Sequence, residues 1–129
     1  MTLVSERQKR LRQAQLQMGE EMKRLLTEHR PEEGLTWKES RTDLMEAFYY
    51  VFDSGVMIDD YGMAITFADI VRRGCSLLHV QAPGNPYLMA MRGRQRKGMK
   101  HLNFLERYQL MMEKQPENTL WMSITWSIT

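Results

Sequence analysis

The chain has 129 residues, 43% of them hydrophobic and 26% charged, with a net charge of +2. That is enough for one domain with a modest core, and too apolar a composition for an unfolded tail. No run of eighteen apolar residues occurs and the start, "MTLVSERQKR", has no apolar leader region, so neither a membrane span nor a secretory signal is expected.

A single cysteine, Cys75, allows no internal disulfide and fits a reducing, cytoplasmic setting. The twelve methionines read as adaptable core filler rather than as a binding groove. The small net charge hides a segregation. Residues 70–105 carry seven Lys/Arg and no Asp or Glu, whereas residues 31–69 carry nine acidic groups and two basic ones. Such a chain presents a polarised surface, and its partners follow the local sign.

Residues 3–29 read as one long helix. Val4, Leu11, Met18 and Leu25 recur every seven residues, with Met22 and Leu26 beside them and good helix formers elsewhere. So narrow a stripe suits a second copy, a partner helix or a neighbouring face of the same domain. Pro31 and Gly34 break it. A second helix starts after Ser40 in "SRTD", a capping-box pattern, with Leu44, Phe48 and Val51/Phe52 on one face and Gly55 at its end. "VMIDDYGMAI" (56–65) is an apolar–turn–apolar stretch, either a small hairpin or a loop. The third helix is capped by Thr66 and places Ile70, Val71, Cys75 and Leu78 at helical spacing. "APGNP" interrupts the chain, with Asn85 as N-cap and Pro86 at the first helical position. The fourth helix, 86–97, starts apolar and ends basic, with Gly98 after it. A fifth runs through "HLNFLERYQLMMEK" with Leu102, Leu105 and Met112 in register. From Leu120 the tail alternates as a strand does, and residues 56–65 are its expected partner.

"RGRQRKGMK" (92–100) is the densest charge on the chain. Gly93 and Gly98 enclose four residues as in a phosphate-binding loop. That loop needs Lys directly after the second glycine, then a hydroxyl, and an upstream strand, and none is present. His29, His79 and His101 are scattered without a second ligand at metal spacing, and Asp59–Asp60 is turn chemistry. No catalytic constellation, metal site or cofactor motif follows, so an enzyme is not expected. A dense cationic helix end rewards phosphate, and arginine adds bidentate bonds to phosphate or guanine. Two capped helices, 66–78 and 86–97, joined by a Pro/Gly break after a supporting helix, follow the order of a helix-turn-helix domain. Double-stranded DNA is therefore the expected partner, with Arg92, Arg94, Arg96, Lys97 and Lys100 making the contacts. The cluster lacks interleaved aromatics, which disfavours RNA. Trp37 and Phe104 are expected in the core.

Several stretches resemble the C-terminal part of the RteC family: "LTWKESRTDLMEAFYYVFDSG", "ADIVRRGCSLL", "NPYLMAMRGRQRKG" and "NFLERYQLMMEK". The shared pattern rests on Trp37, Ser40, Asp43, Leu44, Glu46, Arg96, Lys97, Phe104, Leu105 and Glu106, and covers roughly residues 35–115. The resemblance implies a mainly α chain with a winged-helix-like domain that binds promoter DNA and regulates a conjugative transposon, as an activator of excision genes does in a tetracycline-resistance element. The expected organisation is an amphipathic helix over 1–30, a helix-turn-helix domain over 35–115 and a tail over 116–129. The alternative is a non-enzymatic interaction module, in which the 3–29 stripe dimerises or docks a partner and the basic patch is a solvated helix end.

Overall fold

Each helix begins where a short polar side chain takes up backbone N–H groups that the first turn leaves unpaired. In this computed structural model, which describes residues 5–95 and 102–126, α1 (Glu6–Glu28) starts at a full capping box: Ser5 and Gln8 each donate a backbone N–H to the other's side chain, both at 3.1 Å. Ser40 Oγ accepts from Asp43 N–H at 3.0 Å to open α2 (Arg41–Ser54). Thr66 does the same with Asp69 for α3 (Phe67–Leu78), and Asn85 with Leu88 for α4 (Pro86–Arg94). The three caps expected from the sequence are the caps found. α5 (Phe104–Lys114) is capped by Asn103, in a capping box with Glu106, and starts three residues later than the helix read from His101.

The molecule is mainly helical, with one two-stranded sheet among the described residues. None of these helices is long and apolar enough to cross a membrane. α2 is the central element, packed against α1, α3, α4 and α5. Leu44, Met45, Ala47, Phe48 and Val51 are fully buried around it, which is why its sequence is apolar on more than one face. Phe52, expected on that face, points instead toward solvent at 40% exposure.

The α1 stripe is covered by its own chain. Ala14, Met18 and Met22 are fully buried against α2 and α5, and Gly19 lets α1 approach so closely that an added Cβ would lie 2.7 Å from Ser54 Oγ. The seam is therefore internal, not a free surface awaiting a second helix. One core cluster runs from Ala14 to Ile124, so the three segments expected from the sequence share a single interior.

The tail departs from its expected form. Thr119–Ser123 is a 3₁₀ turn, entered through Asn118 in the left-handed region, and only Ile124–Trp126 (β2) is extended. Leu120 and Ile124 are both buried, a spacing of four that suits a helical turn leading into a strand. β2 pairs antiparallel not with residues 56–65 but with β1 (Leu35–Trp37), Thr36 opposite Thr125. Residues 56–65 close on themselves. Asp59 accepts the Tyr61 and Met63 N–H groups, both at 2.9 Å, Gly62 takes φ 78°, and Ile58 bridges Ala64.

Candidate nucleic-acid interface

α4 is held onto α2 by its two small residues. Ala90 and Gly93 are buried, and an added Cβ at Gly93 would lie 2.5 Å from Glu46 Oε1. Gly93, which from sequence resembles half of a phosphate loop, is thus a close-approach glycine. Burying this side turns Tyr87, Leu88 and Arg92 outward. Pro86 at the first helical position and the Asn85 cap set the start of the helix.

Of the five cations expected at the interface, Arg92 is exposed at the surface of α4. Arg94 faces the protein. Its guanidinium lies 4.6 Å from the centre of the Tyr49 ring and 5.4 Å from that of Tyr50, and Nη1 donates to Met91 Sδ at 3.6 Å. A planar cation in contact with two rings of α2 in this way fixes α4 on α2. Arg96, Lys97 and Lys100, like Gly98 and His101, lie outside the described residues. On the preceding helix, Arg72 is exposed and pairs with Asp69 at 3.3 Å.

Beside Arg94 the fold assembles aromatic rings that are scattered in sequence. Tyr49 meets Phe67 at 6.1 Å and Tyr87 at 6.0 Å between ring centres. Phe67 meets Tyr87 at 6.4 Å and Phe52 at 6.1 Å, and every pair is edge-to-face. Tyr87 is 55% exposed. Sequence reading missed this group, because its members come from α2, α3 and α4. The available signal was Tyr49 and Phe52 three apart on one helix, with an aromatic at the first turn of each of two others.

Behind this face stand buried carboxylates that act as struts. Glu46, fully buried, accepts from Phe104 N–H at 2.5 Å and Leu105 N–H at 3.4 Å, so an α2 side chain caps α5 and neutralises part of that helix's positive end. Asp43 pairs with Arg107. Trp37 donates its indole N–H to the Ser40 carbonyl at 2.9 Å and packs its ring 5.5 Å from Phe104, and both rings are in the core as expected. Glu21 accepts from Tyr108 Oη–H and from Leu120 N–H at 3.2 Å, tying α1 to α5 and the tail. Burial, with Glu46 nearby, pushes the Tyr50 phenol up to about 12, and burial together with the bond to Glu21 also raises Tyr108.

The histidines are structural where described. His79 ends α3 in the left-handed region with Nδ1 2.7 Å from the Leu35 carbonyl. His29 stacks edge-on against Trp121 at 5.2 Å. Cys75 is buried, and burial raises its thiol. Among the described residues no three His, Cys, Asp or Glu gather at metal distance.

Comparison of the chain with protein-family models, with curated proteins and with solved structures finds no match.

Proposed function

We propose that the chain is a DNA-binding regulator of helix-turn-helix type that meets double-stranded DNA through α4 and the basic segment following it. The observation that carries this reading is the orientation of α4. Its small residues are spent on α2, Arg92 is turned outward, and the helix lies in a 36-residue stretch, 70–105, with no acidic group. Phosphates favour such a surface through counterion release. In this reading α2 is the supporting helix, α3 the first of the pair and α4 the recognition helix, with residues 79–85 as a longer connection than the usual tight turn.

The resemblance to the RteC family supports the regulatory part of the proposal. Six of the positions that carry it, Trp37, Ser40, Asp43, Glu46, Phe104 and Leu105, meet where β1, α2 and α5 join. Their meeting at one joint makes them packing positions; the winged-helix-like domain and the transposon control are what the resemblance implies, and they are proposed on the resemblance alone.

The test is binding of the full chain to labelled duplex from its own element's promoter region. Arg92→Ala should weaken it several-fold, and Lys97→Ala and Lys100→Ala should weaken all sequences alike. Wild-type affinity in an Arg92→Ala, Arg96→Ala, Lys97→Ala, Lys100→Ala variant that melts normally would overturn the proposal.

A further inference from the structure

Duplex DNA has no exposed base faces for an aromatic ring to meet, yet the proposed DNA face carries one. We propose that Tyr87, backed by Phe67 and Tyr49, is a stacking platform for an unpaired base of single-stranded DNA, with the strand's phosphates running toward Arg92. This inference rests on the reading that the α4 face meets DNA, and adds the form of DNA it holds.

Three observations carry it. The first is exposure. Tyr87 is 55% exposed and Phe52 40%, both rings pack edge-on against Phe67, and a contiguous aromatic patch on a small domain marks a contact surface. The second is rigidity. Tyr87 is held edge-to-face by Tyr49 and Phe67, and Tyr49 is in turn capped by the Arg94 guanidinium. A ring fixed in this way gives up little side-chain freedom when a base stacks on it.

The third is charge. Arg92 lies five residues beyond Tyr87 on the same helix, roughly 7.5 Å along the axis and about 140° around it, so a strand stacked on Tyr87 meets it by wrapping part of the way around α4. Two carboxylates of the flanking helices have partners: Asp69 pairs with Arg72 at 3.3 Å, and Asp53 accepts from the Gln15 side-chain amide at 2.9 Å. Aromatic stacking combined with nearby cations is what binds single strands with little regard to sequence. An apolar protein partner would have no use for the cations.

The test uses the full chain with fluorescently labelled dT12, U12 and a 12-base-pair duplex, read by anisotropy at fixed salt. Tyr87→Ala is expected to weaken dT12 binding by about 5- to 100-fold, the range that loss of one base–aromatic stack produces. Tyr87→Phe should keep wild-type affinity, and duplex binding should change by less than about twofold in either variant. Thermal melting of both variants verifies that they are folded. Unchanged dT12 binding in Tyr87→Ala overturns the platform, even where Arg92→Ala still weakens the duplex. Equal loss in Tyr87→Phe also overturns it, by assigning the contact to the hydroxyl. Tighter binding of U12 than of dT12 would assign the surface to RNA, and Tyr87-dependent self-association without strand binding would assign it to a second copy. Tyr87-dependent dT12 binding with no duplex binding upholds the platform and overturns the duplex reading alone.

Discussion

At the scale of single residues, the packing of α3 on α2 depends on Gly74. An added Cβ there would lie 2.2 Å from Phe48 Cζ and 2.3 Å from Cε1, and Phe48 is fully buried. A fully buried ring has to shift to admit that carbon, so Gly74→Ala should destabilise by about 1–3 kcal/mol, the cost of overpacking a core. Urea unfolding measures this, and a midpoint equal to wild type would show that the helices separate freely. The tyrosines give a second prediction. Tyr50 is raised to about 12 and Tyr108 is raised as well, whereas an unfolded tyrosine titrates near 10. Above about pH 10 the unfolded chain therefore binds fewer protons than the folded one, and the free energy of unfolding falls with pH. The Tyr50 contribution is fully present below about pH 10 and is lost between about 10 and 12, and that of Tyr108 begins to be lost at the same pH and continues to be lost above that window. Melting temperatures should drop through that window, and Tyr50→Phe should flatten part of the drop; an unaltered slope in that variant would remove Tyr50 from the account.

At the scale of elements, the two short strands show how local pattern is outweighed by distant partners. Lys38 N–H donates to the Ser123 carbonyl at 2.8 Å beyond the paired segment Leu35–Trp37 with Ile124–Trp126. The Lys38 amide and the ladder amides should be protected from hydrogen exchange. Removing residues 119–129 should abolish the Lys38 protection, and persistence of it after truncation would contradict the pairing. The alternation from Leu120 onward was legible as a strand signal, but the 3₁₀ turn over Thr119–Ser123 was not. Its cause, the burial of Leu120 against α1 and the bond from Leu120 N–H to Glu21, is 99 residues away in sequence. The caps at Ser40, Thr66 and Asn85 were legible because they are local chemistry. Asn103 was equally local, with Glu106 three residues on, and the apolar Leu102 drew the start of α5 too early.

At the scale of the whole molecule, three carboxylates and one arginine link elements that local pattern cannot relate: Glu46 joins α2 to α5, Asp43 meets Arg107, and Glu21 joins α1 to the tail. A sequence displays these as charges on amphipathic helices; only the fold makes them struts. The same holds for the proposed site. The segregation of charge over 70–105 was readable, and so was the basic end of α4. The inward turn of Arg94 onto Tyr49 and Tyr50, and the gathering of Phe52, Phe67 and Tyr87 beside it, depend on how three helices meet. The interior seam of α1 likewise makes residues 6–28 part of the scaffold behind that face.

Contact of the α4 end with DNA through its cations, as proposed, sets the salt dependence of duplex binding. With about four phosphates neutralised, log K should fall against log salt with a slope of roughly −3.6. Arg92→Ala should reduce that slope by about 1, as loss of one phosphate contact requires. A slope near zero, or the same slope in the variant that replaces Arg92, Arg96, Lys97 and Lys100 together, would contradict it.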